Sequence, residues 1–275
     1  MGQARVWVNG LATTQVEALD RGFQYGDGLF ETFLLQRGVP LFWQAHLRRL
    51  RLGCIKLRLP LPDLDLLRRE VEQACCAEEG VLKLILSRGL SARGYAPPKA
   101  PTLTRVISLH PLPAGLEEIQ RGVKARFCRT CLGINPALAG IKHLNRLEQV
   151  LARAEWDDPS VYEGLMCDSE GFVVEGTMSN LFWRRGKKLF TPKLDRCGVR
   201  GIVRDWVVAR ALEWGFAVEK VRARPGVLAE AEELFLTNSV IGVVPVVALA
   251  DQRFAVGPLT TRLQACWQQT LAEGS

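Results

Sequence analysis

No stretch of this chain approaches the roughly 20 consecutive apolar residues that a membrane-spanning helix needs, which excludes a helical membrane protein. The segment Met1 to Asn9 carries no long hydrophobic region, so no secretion signal is expected and the protein is read as cytoplasmic. Histidine is scarce: His46, His110 and His143 lie far apart, a poor basis for a zinc enzyme. The eight cysteines, Cys54, Cys75, Cys76, Cys128, Cys131, Cys167, Cys197 and Cys266, follow no regular spacing. A chain this long does not depend on disulfides. Cys128 and Cys131 have C-x-x-C spacing, but neither a second pair nor nearby histidines accompany them, and no strand-to-helix context suggests a redox site. Also missing are a G-x-G-x-x-G opening a helix, a phosphate-binding P-loop, an H-E-x-x-H zinc motif, internal repeats and low-complexity tracts. Nucleotide-binding Rossmann domains and zinc proteases are therefore not expected, and no metal site is assigned.

What is present is an ordinary globular composition. The 275 residues are 48% hydrophobic, enough for a real core in one large domain or two modest ones. The net charge is +7, from 36 basic and 29 acidic residues. That excess is spread along the chain. Its densest cluster, Arg48-Arg49-Leu50-Arg51, sits in a helical pattern without interleaved aromatics, so no nucleic-acid platform is expected. Anionic small molecules suit the balance equally well.

The pattern of elements is mixed. Arg5 to Asn9 reads as a strand ending in an Asn9-Gly10 turn. A strand from Leu29 to Leu35 follows the glycine-punctuated turn Tyr25-Gly26-Asp27-Gly28 and turns back at Arg37-Gly38 as a hairpin. Residues 44–56 read as a helix, and a second helix capped by Asp63 is expected to reach about Ala77. Val81 to Ser87 and Arg105 to Leu109 are strands on either side of a Gly/Pro-rich loop, Arg88 to Lys99. The proline-rich stretch 111–116 is the expected linker. It divides an N-terminal domain, residues 1–110, from a C-terminal one, residues 117–275. Beyond it, leucines at helical spacing (Leu144, Leu147, Leu151, with Ala154) predict a helix that opens at Lys142 and runs to about Asp157, one face inward. Without regular strand–helix alternation, the fold class expected is α/β with α+β character.

Certain polar residues stand in apolar or glycine-rich surroundings. Lys142 is either a surface charge or a reactive amine. Glu175 follows Phe172-Val173-Val174. A carboxylate there is an exposed strand end, or is paired, or is functional, since an unpaired buried charge is costly. Asn180 precedes Leu181-Phe182-Trp183 and could simply turn the chain. Gly198-Val199-Arg200-Gly201-Ile202 puts glycines ahead of a helix, whose N–H groups and dipole favour an anion. Asn238-Ser239 adds a hydroxyl and further donors, and Arg49 is either an anion contact or part of a solvated helix face. Each signal is weak singly. Together they are an amine, an acid and several anion donors, the set pyridoxal phosphate requires: an amine to bond its aldehyde, a carboxylate for its ring nitrogen, and donors for its phosphate.

Longer segments carry a resemblance. Asp20-Arg21 with Tyr25-Gly26-Asp27-Gly28, Ala45-His46-Leu47-Arg48-Arg49-Leu50, Ser87-Arg88-Gly89 with Arg93-Gly94-Tyr95, Asp168-Ser169-Glu170-Gly171, Asn180 to Trp183, Gly198 to Arg204, and Asn238 with Pro245 span nearly the whole chain. They resemble the fold-type IV pyridoxal-phosphate enzymes, a family of branched-chain and D-amino-acid aminotransferases that also contains the aminodeoxychorismate lyases. The run from Leu138 to Gln149 is most similar to the lyase members. The resemblance implies a small N-terminal α/β domain, a larger C-terminal pseudo-barrel domain, a cofactor between them, and a homodimer. Carried over by position, Lys142 resembles the lysine that bonds pyridoxal phosphate and Glu175 the acid paired with its ring nitrogen. Arg49, Gly201, Ile202, Val203 and Ser239 resemble the phosphate contacts. Aminotransferases often place a hydroxyl where Val203 stands, so only its backbone can serve. Arg93 and Tyr95 lie in the loop that resembles the substrate-facing one, and Arg88 with Arg93 would suit a dicarboxylate substrate. The activity implied is conversion of 4-amino-4-deoxychorismate to 4-aminobenzoate and pyruvate. The rivals are an aminotransferase using the same Lys142 and Glu175, and a non-catalytic protein that binds an anion or nucleic acid.

Overall fold

The structure is a computed structural model in which residues 5–75 and 79–273 are described. Its chain forms two compact units. The first runs to Pro113 and takes in Ile141–Asn145 as well. The second consists of Ala114–Gly140 and Arg146–Glu273. The sequence division at residues 111–116 is thus complicated by a five-residue return of the chain.

The first unit is built on an antiparallel six-stranded sheet. In chain order its strands are β1 (Arg5–Val8), β2 (Leu11–Ala12), β3 (Gly28–Gln36), β4 (Val39–Pro40), β5 (Gly80–Ser87) and β6 (Thr104–His110), and in space they run β2-β1-β6-β5-β3-β4. The helices are α1 (Arg21–Tyr25), α2 (Trp43–Leu57) and α3 (Leu64–Ala74). Asp63 caps α3 by accepting from the N–H groups of Asp65 and Leu66. The helix ends at Ala74 with Cys75 as its C-cap, and the rest of the expected extension, Cys76 and Ala77, lies outside the described residues.

Alternation along the strands gives this sheet two unlike faces. Leu29, Glu31 and Phe33 of β3 and Leu82, Leu84 and Leu86 of β5 are buried. Phe30 and Thr32 of β3 and Lys83 and Ile85 of β5 are only half-buried. The register sets Phe30 beside Ile85 and Thr32 beside Lys83, so these four share one face.

The second unit carries a nine-stranded mixed sheet: β7 (Val123–Phe127), β8 (Val161–Cys167), β9 (Val173–Gly176), β10 (Asn180–Arg185), β11 (Lys188–Pro192), β12 (Ala217–Val221), β13 (Glu233–Asn238), β14 (Gly242–Leu249) and β15 (Gln252–Arg253). The spatial path is β12-β11-β10-β13-β14-β7-β8-β9, with β15 on β14. β9, at one end of that path, comes back against β10 and β11, which curls the sheet into a half-barrel around Leu165, Leu181, Trp183, Leu236 and Val246. Helices α4 (Leu116–Gln120), α5 (Leu147–Arg153), α6 (Ile202–Glu213) and α7 (Pro258–Glu273) complete the unit, with a 3-10 turn at Pro225–Glu230. No helix among the described residues is long and apolar enough to cross a membrane.

The helix expected to open at Lys142 does not. α5 begins at Leu147, five residues later, and ends at Arg153. Its leucines do not face inward either: Leu147 and Leu151 are exposed, as is Val150. The reason is a competing set of backbone hydrogen bonds. Phe30 N donates to Lys142 O (2.9 Å) and Leu144 N donates to Gly28 O (3.0 Å). Residues 142–144 therefore lie as a short strand-like piece along the edge of β3 that β5 leaves unused. Those bonds require extended backbone, which a helix cannot supply.

Candidate active site

In the first unit, the short pairing along β3 fixes where Lys142 points. His143 lies opposite Leu29. By alternation His143 shares the buried face, and Lys142 turns to the half-buried face with Phe30. The Lys142 ammonium stands 4.3 Å from the centre of the Phe30 ring, a cation–π distance. The glycine turn before β3 makes this approach possible. A Cβ on Gly28 would come within 2.4 Å of Leu86 O and 2.8 Å of the Leu144 side chain, so residue 28 has to be glycine for Leu144 to pack there. Asn145 closes the segment by donating to Gly26 O (3.0 Å).

Arg49 is not on a solvated face. It is buried in α2 and its guanidinium meets Glu31 edge-on: Nε donates to Oε1 (2.9 Å) and Nη2 to Oε2 (2.5 Å). His46, one turn earlier on α2, shares Glu31 Oε2 through Nδ1 (2.6 Å). Burial alone would push the Glu31 carboxyl up, but Arg49 and the His46 contact hold it down to about 2. Burial pushes the His46 imidazole below its usual value. The charges of Arg49 and Lys142 add to that effect, and Glu31 opposes it. The guanidinium is thus held in a fixed plane, with Nη1 on the edge away from Glu31.

The loop Arg88 to Lys99 corrects one expectation. Arg88 is buried and fully committed within the fold. It donates to both Asp27 oxygens (2.7 and 3.0 Å) and to the carbonyls of Arg58 (2.9 Å) and Leu57 (2.8 Å) at the end of α2. It is therefore a structural cation rather than a substrate contact. Arg21, beside the same Asp27, fastens the loop through the carbonyls of Gly94 (3.0 Å) and Tyr95 (3.0 Å) and the Ser91 hydroxyl (3.0 Å). Tyr95 is exposed and its ring packs against Tyr25 at 5.4 Å. Arg93 is exposed on the same loop.

In the second unit, Glu175 is 4% exposed, within β9 rather than at a solvated strand end. Its Oε2 accepts from Val199 N (2.8 Å) and, more loosely, from the Asn180 amide (3.4 Å). Asn180 does more than turn the chain. Its amide also donates to Val199 O (2.8 Å) and its oxygen accepts from Gly201 N (3.0 Å). One side chain thereby ties the acid to the start of α6. A Cβ on Gly201 would meet the Asn180 oxygen at 2.1 Å, so only glycine fits at that N-cap. Ile202 and Val203 then supply the first-turn N–H groups at the positive helix end. Burial draws Arg146 and Arg204 below the usual guanidinium value, and the charge of Glu175 opposes this at each. Ser239 sits in the turn after β13, which the Asn238 side chain braces by accepting from Val240 N and Ile241 N (both 2.9 Å).

Sequence reasoning passed over Glu31 and Glu163. Glu163 is fully buried on β8 and receives Thr177 N (3.0 Å), Thr177 Oγ1 (2.6 Å) and Ser179 Oγ (2.7 Å). It fixes the tight turn between Glu175 and Asn180. Burial pushes its carboxyl up, against those donors. The available signal for both was a lone acid inside an otherwise apolar strand.

The structure therefore gathers Lys142, Arg49 and their supports within the first unit, and Glu175, Gly201, Ile202, Val203 and Ser239 within the second. A buried acid tied to a helix start on the curled half-barrel of the second unit, and an amine set along the sheet of the first, are what the chain offers an enzyme of the class IV aminotransferase fold. The chain belongs to the amino-transferase class IV family, whose pattern matches residues 28–249. It is 39% identical over 264 residues to the aminodeoxychorismate lyase of Vibrio harveyi, covering 94% of this chain and 97% of that one. The crystal structure of 4-amino-4-deoxychorismate lyase from Pseudomonas aeruginosa matches with a TM-score of 0.92 and 45% identity, covering 96% of this chain and 98% of that one. A hypothetical aminotransferase from Mycobacterium tuberculosis in its PLP-bound form has the same fold, with a TM-score of 0.83 at 23% identity over 99% of this chain and 100% of that one.

Proposed function

We propose that this protein is an enzyme converting 4-amino-4-deoxychorismate to 4-aminobenzoate and pyruvate with pyridoxal phosphate as cofactor. The observation that carries the reading is the donor set. Lys142 is held by backbone pairing over Phe30, and Glu175 is buried and tied through Asn180 to a glycine-cradled helix start. Likeness over nearly the full length to two aminodeoxychorismate lyases supports the choice of reaction.

The residues fit the cofactor. Lys142 would attach it, Glu175 would face its ring nitrogen, and Arg49, Ser239 and the N–H groups of Ile202 and Val203 would hold its phosphate; the Gly201 N–H is taken by Asn180, so Gly201 would serve only by letting the chain approach. When bound, pyridoxal phosphate supplies an electron-accepting ring. Released by the incoming substrate amine, the Lys142 amine would act as general base, taking the proton from the substrate carbon that bears nitrogen. The carbon–oxygen bond to the enolpyruvyl group would break with its electron pair leaving on oxygen, the enol would take up a proton to become pyruvate, and the aromatic ring left behind would drive the reaction. The protein's share is binding, orientation and proton transfer. Glu31 keeps the Arg49 guanidinium in one plane. Glu163 and Asn180 keep the Glu175 carboxylate from turning away.

The test is direct. The purified protein, incubated with aminodeoxychorismate, is expected to release 4-aminobenzoate. Turnover of an amino acid with 2-oxoglutarate and no 4-aminobenzoate would instead make it an aminotransferase. Glu175→Gln is expected to lower kcat about a hundred-fold while cofactor stays bound, because the amide cannot stabilise a protonated ring nitrogen. Stopped-flow turnover on the loaded variant measures this.

A homodimer in the cytoplasm belongs to the same reading. The exposed apolar face of α5, Leu147, Val150 and Leu151, supports self-association. Cys54, Cys128, Cys131, Cys167, Cys197 and Cys266 carry no disulfide, which supports a reducing compartment. Light scattering is expected to give twice the chain mass.

A further inference from the structure

The net charge of +7, expected from the sequence to be spread along the chain, is gathered in one segment. Between Glu31 and Asp63 stand Arg37, Arg48, Arg49, Arg51, Lys56 and Arg58 and no acidic residue, which leaves the rest of the chain close to neutral. α2 carries most of this segment. One face of the helix is fixed in the fold by Leu47, Leu50 and Cys54, which are buried. The other repeats Arg48, Arg51, Leu52 and Ile55 at helical spacing, all exposed, and Arg58 continues the line at the C-cap. Leu52 is 56% and Ile55 60% exposed, an apolar centre among arginines. At many other surface positions an exposed cation meets a carboxylate: Arg68 meets Glu72, Arg185 meets Glu230, Lys188 meets Glu219 and Arg210 meets Glu213. Among the described residues no carboxylate is paired with Arg48, Arg51 or Arg58.

We propose that this face of α2 docks an acidic protein surface, one whose carboxylates surround an apolar centre. Charge complementarity carries the choice. The planar guanidinium fork matches a carboxylate through two hydrogen bonds and sheds water more readily than an ammonium, so arginine is enriched where proteins meet and lysine is depleted. Leu52 and Ile55 supply the dry centre, and the arginines the polar rim. Two other anionic surfaces fit less well. A bilayer holds helices that bury a whole apolar face in it, and α2 spends its broad apolar face on the fold. A nucleic acid would set its charged backbone against the leucine and isoleucine, and no aromatic residue stands on this face for bases to stack on. The surface is that of a single helix, so the contact is transient, fast to form and weakened by salt. The inference does not depend on the reaction assigned above.

The test uses the full chain, with Leu52→p-benzoylphenylalanine as a photo-reactive probe. Illumination of the cells that make the protein is expected to trap a predominant partner, identified by mass spectrometry. The purified partner is then titrated calorimetrically against the unaltered chain and against Arg48→Glu and Arg51→Glu. A Kd near micromolar is expected for the unaltered chain, and each reversal is expected to weaken it at least about ten-fold. Exchanging an acidic residue at the partner's cross-linked site for arginine is expected to restore binding to a reversed chain. The unfolding temperature and 4-aminobenzoate formation of the isolated variants are expected to be unchanged. A captured protein whose contact surface is not acidic, or that binds both variants as tightly as the unaltered chain, overturns the proposal. A loss that the partner's arginine restores for neither variant marks a disturbed helix rather than a docking face and overturns it too. So does the absence of any protein adduct. In that case vesicles of phosphatidylglycerol or duplex DNA, bound by the unaltered chain and not by Arg51→Glu, would assign the face to a different anion.

Discussion

Lys142→Ala is expected to abolish 4-aminobenzoate production, a loss of roughly ten-thousand-fold or more, since in the proposed reading one amine serves both as the cofactor's attachment and as the general base. The fold should survive the change. Lys142 contributes to β3 through its backbone carbonyl, which alanine retains, and the bond from Phe30 N is kept. Two measurements separate a chemical role from a structural one. Borohydride treatment of the wild type should fix the cofactor to the chain as a stable mass increase, absent from the variant. Thermal unfolding of the cofactor-free proteins should be nearly the same for both. A variant that keeps both the activity and the mass increase would remove Lys142 from the mechanism. One that loses activity by failing to fold would show that the ammonium over Phe30 is a packing element.

Glu31→Gln is expected to destabilise the protein at pH 7 by about 3–5 kcal/mol, because it leaves Arg49 buried without its partner. Urea unfolding measures the loss. The pH dependence has a definite sign. The Glu31 carboxyl is held at about 2, below its ordinary 4.5. The stability it contributes is therefore fully present above pH 4.5 and is lost as the pH falls toward 2. For this shift the amount is about 3 kcal/mol. His46 has a lowered value too, so its neutral form favours the fold, and that contribution fades as the pH falls below 6.5. Between pH 5 and 3 the wild type should lose stability more steeply than Glu31→Gln, which has no carboxylate to protonate. Parallel slopes would mean that Glu31 is not ionised in the folded protein. The variant is also expected to bind pyridoxal phosphate less tightly, since Arg49 loses the partner that fixes its plane.

How much of this was legible in the sequence depends on the range of the interaction involved. Strands with strong alternation, such as β3 and β5, and helices with explicit caps, such as Asp63 before α3, are local and could be read directly. Glycines before α6 marked a helix start in the sequence, but only the structure shows that the Asn180 side chain forces residue 201 to be glycine. The Lys142 helix was misread because leucine spacing is a local signal and the bonds to Gly28 and Phe30 come from more than a hundred residues away. Glu31 and Glu163 were passed over for a related reason. A single charge inside a strand does not reveal which face it occupies or what meets it. Arg88 illustrates the reverse: a basic residue in a glycine-rich loop looks available until Asp27 and the end of α2 are seen to use it.

The pairing of residues 142–144 with β3 also governs how the chain can be divided. A fragment ending at Pro113 would contain every strand of the first sheet and still be incomplete, because five residues of that unit are encoded beyond it. It would expose the N–H of Phe30 and the carbonyl of Gly28 on an uncovered strand edge, which invites intermolecular pairing. Expressing the N-terminal portion alone should therefore give aggregated material. Supplying residues 141–145 through a short engineered linker should keep it in solution. The lysine proposed to hold the cofactor is, in this sense, also the clasp of its sheet.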